Sequence, residues 1–179
     1  MRKAFLIIGL AAAFTLAVLA ASAAAPANFA GTWALDKAKS QGLSQRMQNA
    51  DSVVWTITQD DKTISIESKV TGGQPPAGGG MGGGRAPGPQ VYNLDGNEVT
   101  SDVTFGQATG KATSKATLSK DGATLELSRK TTFQGPNGEV TNSTTQKLSL
   151  SGDGKVLTVA QHSEGARGTQ DSTLVFNKQ

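Results

Sequence analysis

His162 is the only histidine in this chain, and the chain has no cysteine. The missing thiol excludes disulfides, iron–sulfur clusters, thiolate zinc sites and a cysteine nucleophile. One imidazole cannot build a multi-histidine metal site, so no metal is expected. Any hydrolytic relay has to pass through His162, with Ser163 beside it and Asp171 nearby in sequence. Neighbouring strand residues point to opposite faces, whereas a nucleophile and its base must meet on one side. Asp60 and Asp61 form a carboxylate pair, but in a turn such residues set backbone angles and hydrate. The glycine-rich run that starts at Gly72 lacks the Gly-Lys-Ser/Thr ending and the following helix of a phosphate cradle. The expectation is a protein without catalysis and without a cofactor.

The elements that position these residues are strands. From Phe29 onward the apolar residues alternate with polar ones, and turn pairs recur at short intervals, as an antiparallel sheet demands. Ile57 to Ile66, Leu118 to Leu127 and Leu150 to Val159 each read as strand, turn, strand, centred on Asp60-Asp61, Asp121-Gly122 and Asp153-Gly154. Asp and Gly tolerate the positive φ that tight hairpin turns require. Leu94-Asp95-Gly96 reads as a fourth such turn. Strands are expected at about 29–36, 52–59, 62–70, 90–94, 97–105, 110–119, 123–133, 138–150, 155–163 and 170–177, with boundaries good to about two to four residues. Only 37–50 breaks the pattern and reads as a turn with one or two helical turns. Residues 71–89 are Gly/Pro-rich and form an expected disordered loop between strands.

The first residues have another role. A basic start at Arg2 and Lys3, an apolar stretch from Ala4 to Ala20 and small residues at 21–25 describe a secretory signal peptide, here residues 1–23. That leaves 24–179 as one domain with no membrane span after cleavage, in the periplasm or outside the cell. Cleavage removes two of the 17 Lys and Arg residues and none of the 14 acids, so the formal charge falls from +3 to +1. No basic cluster remains, which excludes a nucleic-acid footprint.

Ten short strands in a meander resolve their edges best by closing into a barrel. The first strand, Phe29-Ala-Gly31-Thr-Trp33, resembles the F-x-G-x-W start of the calycins, the lipocalins and fatty-acid-binding proteins. It most resembles the lipocalin-like domains of secreted bacterial proteins. The resemblance implies an up-and-down antiparallel barrel of about 8–10 strands, with Trp33 across its bottom and Gly31 at a sharp bend. It departs from lipocalins in ending on a strand, and from fatty-acid-binding proteins in reducing their helical pair to 37–50.

Strand parity then selects the inner face. Phe29, Trp33, Val53, Trp55, Ile57, Ile64 and Ile66 point in. So do Val99, Ser101, Val103, Phe105, Ala112, Ser114, Ala116, Leu125, Leu127, Arg129, Thr131 and Phe133. The later strands add Asn142, Thr144, Gln146, Leu148, Leu157, Val159, Gln161, Ser163, Leu174 and Phe176. The other face is Thr, Ser, Lys, Glu and Asp, which fits a barrel surrounded by water rather than one in a membrane. The Asn142 sequon falls on the inner face, which argues against glycosylation.

Inward residues near the Asp turns are apolar, and those farther away are polar, so one end is a plug and the other a polar lumen. Arg129 shares its parity with no Asp or Glu. A buried unpaired charge is costly, so water, a register slip or a bound anion must complete it. The expected function is binding of a small hydrophobic or amphipathic molecule, lined by Trp55, Phe105, Arg129, Phe133, Gln146 and Gln161. The alternative is a protein-interaction module, such as a barrel-type protease inhibitor or an envelope structural protein, acting through loops at the open end.

Overall fold

The computed structural model describes residues 26–72, 88–105, 108–135, 138–166 and 168–179. The expected signal segment 1–23, and most of the Gly/Pro-rich loop expected at 71–89, lie outside the described residues. Ten strands and one helical turn make up the rest: β1 Gly31–Leu35, α1 Gln45–Asn49, β2 Ser52–Gln59, β3 Thr63–Thr71, β4 Gln90–Asn93, β5 Val99–Phe105, β6 Ala108–Leu118, β7 Thr124–Gly135, β8 Gly138–Leu150, β9 Val156–Gly165 and β10 Gly168–Lys178.

All the strands join one antiparallel sheet in the order β4-β3-β2-β1-β10-β9-β8-β7-β6-β5. The first and last strands in sequence pair with each other, Trp33 opposite Lys178 and Leu35 opposite Phe176. That pairing rolls the meander into a nearly closed antiparallel barrel, the closure that its ten short strands implied. The seam falls between β4 and β5, which lie side by side without a hydrogen-bonded ladder among the described residues. This corrects the reading of Leu94-Asp95-Gly96 as a hairpin turn. The turn itself is present: the Asp95 carboxylate accepts from the Asn97 amide at 2.9 Å. It carries the chain across the seam instead of joining two paired strands.

The other three turns behave as their residues require. Asp60 accepts from the amides of Lys62 and Thr63, both at 2.7 Å. Gly122 takes φ 69°, a left-handed angle that costs other residues a steric penalty. The hydrogen bonds to Asp60 hold its carboxyl below the usual carboxylate range, with the Lys62 amide the largest cause.

Alternation is obeyed closely, because each inward side chain leaves water for a shared core. Trp33, Phe29, Phe176, Ile57, Ile64, Leu125, Leu127, Leu148, Leu157 and Leu174 are all buried completely or nearly so. Ser101 departs from its expected inward placing and is exposed. It lies on β5, the edge strand at the open seam, which has a paired neighbour on one side only.

The N-terminal tail seals the plugged end. Ala27 donates its amide to Gly122 O at 2.8 Å, and Phe29 donates to Gln59 Oε1 at 2.9 Å. Trp33 donates its indole N–H to Phe29 O at 2.9 Å, while the Lys178 ammonium stands 5.2 Å from its ring centre. At Gly31 φ is 143°, the bend that this position was expected to allow.

After β1 the chain follows β10, with Gln41 and Thr173 exchanging backbone hydrogen bonds at 2.8 and 3.0 Å. It then forms α1, the short helical turn expected within 37–50. The Ser44 hydroxyl caps its start by accepting from the Met47 amide at 3.4 Å. The Lys37 ammonium donates to the Gln48 and Ala50 carbonyls at its end, and Leu43 and Met47 pack against the core.

Candidate functional site

Beyond the apolar plug, the inner wall turns polar within two register positions. On β7 the inward residues run Leu125, Leu127, Arg129, Thr131 and Phe133. Their partners on β8 are Leu148, Gln146, Thr144, Asn142 and Val140. Gln146 Nε2 donates to Gln161 Oε1 on β9 at 2.8 Å, and Gln161 Nε2 donates to Ser163 Oγ at 3.3 Å. The hydroxyls of Thr144 and Ser163 are 3.4 Å apart. These side chains are half-buried, which places a hydrogen-bonded polar patch at the mouth rather than in the sealed core.

Arg129 is the adjoining cation. It is half-buried, and its Nη1 donates to Ser114 Oγ on β6 at 3.3 Å. Tyr92 of β4 lies beside it across the seam, with its hydroxyl donating to Gln90 Oε1 at 3.0 Å. Burial pushes the Tyr92 hydroxyl above the usual tyrosine range, and the Arg129 guanidinium opposes that shift. Among the described residues no carboxylate pairs with Arg129 within 4 Å. Its partners there are hydroxyls.

Of the expected lining residues, Gln146 and Gln161 are cross-strand partners, while Arg129 stands opposite Ser114 and Thr144. Phe133 is half-buried farther along β7, opposite Val140. Trp55 is 5% exposed and packs on Phe176 with ring centres 4.7 Å apart, deeper than the polar patch. Phe105 ends β5, and its side chain lies outside what the structure describes. Tyr92 was not anticipated: β4 is only four residues long and carries apolar side chains on both faces, Val91 being 43% exposed and Tyr92 1%. A period of two cannot choose between them.

The outer wall carries the remaining chemistry. His162 faces out and Ser163 faces in, so the two cannot form a nucleophile–base pair. Asp171 lies directly opposite His162 on β10, with Nδ1 to Oδ1 at 2.6 Å, and Glu164 Oε1 stands 3.4 Å from Nε2. Both ring nitrogens thus face carboxylates, which suits an imidazolium and leaves neither as a free base. A groove of about 440 Å³ passes beside this pair, lined by Gln41, Gly42, Thr145, Lys147 and Thr173 among others.

The Asp171 hydrogen bond, then that of Glu164, raises the His162 pKa above the usual value of 6.5. A raised folded-state pKa stabilises the fold below the unfolded pKa, and that contribution is lost as pH climbs through the folded value. The gap in urea midpoint between wild type and His162→Gln should therefore be widest near about pH 6 and close by about pH 9. A gap independent of pH would show that the ion pairs contribute nothing.

No family model matches the chain, and no curated protein matches it. Among solved structures, it is similar to the zebrafish ileal bile acid-binding protein crystallised with cholic acid. The sequence identity is 18%, the match covers 88% of this chain and 100% of that one, and the TM-score is 0.45.

Proposed function

We propose that this chain is an exported, lipocalin-like barrel that binds a small amphipathic molecule at its polar mouth and does no chemistry on it. Export is read from the basic, apolar and small-residue succession of residues 1–25. One observation carries the binding reading: a half-buried guanidinium on the inner wall whose described partners are hydroxyls. An anionic ligand group supplies the charge-assisted partner that such a cation lacks. The apolar side chains deeper in the barrel suit a hydrocarbon body, which makes the ligand an amphipathic anion.

Native mass spectrometry of the mature protein, purified from an exported fraction without denaturation, tests this. A discrete added mass, lost on denaturation, is the expected result. A bare mass that persists after incubation with lipid extract overturns the reading and favours a filled barrel whose loops engage another protein.

A further inference from the structure

The barrel buries two indoles and treats them differently. Trp33 Nε1 donates to the Phe29 carbonyl at 2.9 Å. Trp55 Nε1 is equally out of contact with water and has no acceptor among the described residues. Buried tryptophan N–H groups nearly always find a partner, because an unmet donor carries its full desolvation penalty. The surroundings of Trp55 explain the deficit. Along β2 its inward neighbours are Val53 and Ile57, and its ring packs on Phe176. Its register partner on β3 is Ser68, the smallest inward side chain of that strand, and no hydrogen bond joins the two. An orphan donor thus sits beside the least space-filling inward position of β3.

We infer that the ligand carries a neutral acceptor oxygen in its body, a hydroxyl, ketone or ether, which takes the Trp55 N–H inside the barrel. The inference rests on the binding reading above and sharpens its ligand class to oxygenated amphipathic anions. Arg129 addresses the charged end and Trp55 a point along the chain, so the two together select a spacing as well as a polarity. Ligands lacking the oxygen bury the indole N–H unmet and forgo its hydrogen bond.

The test compares laurate with its monohydroxy positional isomers, using displacement of a fluorescent fatty acid from the full mature chain. One isomer should bind about tenfold more tightly than laurate, the value of one hydrogen bond to a buried donor. In Trp55→Phe, which keeps an aromatic ring and removes the N–H, the ratio between that isomer and laurate should fall to about one. A measurement on the unmutated protein stands beside it, since the chain has only two tryptophans. With ¹⁵N-labelled indoles, one resonance should move downfield with the preferred isomer and not with laurate. The Trp33 signal, already hydrogen-bonded, serves as the internal control. Laurate binding with no isomer preferred, or a preference that persists in Trp55→Phe, overturns the inference and leaves the binding reading in place. Failure of laurate and every isomer to bind overturns both.

Discussion

Trp33→Ala should cost about 3–5 kcal/mol of folding stability, the range for removing a large aromatic from a packed core. Trp33 is fully buried at the bottom of the barrel and touches three separate parts of the chain. Its ring lies in the shared core, its N–H holds the Phe29 carbonyl, and Lys178 of the last strand covers its face. Truncation leaves a cavity and a buried carbonyl without its donor at once. Domains of this size have about 5–15 kcal/mol in hand, so the variant should remain folded but fragile. Its urea midpoint should fall by about 2 M, judged by circular dichroism. Trp33→Phe restores most of the volume and should lose only about 1–2 kcal/mol, the share of the Phe29 hydrogen bond. A cost below about 1 kcal/mol for the alanine variant would mean that the plugged end is loosely packed.

Arg129→Met should do the reverse, sparing the fold and weakening binding. The guanidinium is half-buried, donating to the Ser114 hydroxyl with Tyr92 beside it. Exchanging a charge in that position for an unbranched apolar side chain should change stability by no more than about 1 kcal/mol, because a desolvation cost disappears with the hydrogen bond. Laurate affinity should drop by about 10- to 100-fold, the value of a charge-assisted hydrogen bond. Dodecanol, with the same chain and no charge, should bind wild type and Arg129→Met alike. Equal losses for both ligands would trace the effect to the shape of the mouth. No loss for laurate would remove Arg129 from the site.

Much of the architecture was legible because it rests on local chemistry. Asp121-Gly122 and Asp153-Gly154 fix hairpins by their backbone preferences, and a fixed turn fixes register. Once those turns are centred, Ser114 must face Arg129 and Gln146 must face Gln161, as the structure has them. The same logic applied to the Gly165 and Gly168 hairpin places Asp171 opposite His162. That hairpin has no Asp-Gly pair to mark its centre, so the pairing is not legible from turn chemistry by itself. Long strands also declared their inner face, since one slip would turn an entire apolar row to water.

Contacts between strands far apart in sequence were not legible. The Leu94-Asp95-Gly96 turn looks like its three counterparts, yet β4 and β5 do not pair, because closure of the barrel puts its seam there. Tyr92 reaches Arg129 only through that closure, with β4 brought against the β6–β7 wall. The unmet N–H of Trp55 is likewise a property of its whole enclosure, which no segment of β2 discloses. Turn type, strand parity and the division into plug and polar mouth follow from the sequence by itself, because each depends on neighbours within one hairpin. Which cation meets which hydroxyl, and which buried donor goes without a protein partner, was decided by the tertiary structure, because rolling the sheet sets distances between strands that no local preference encodes.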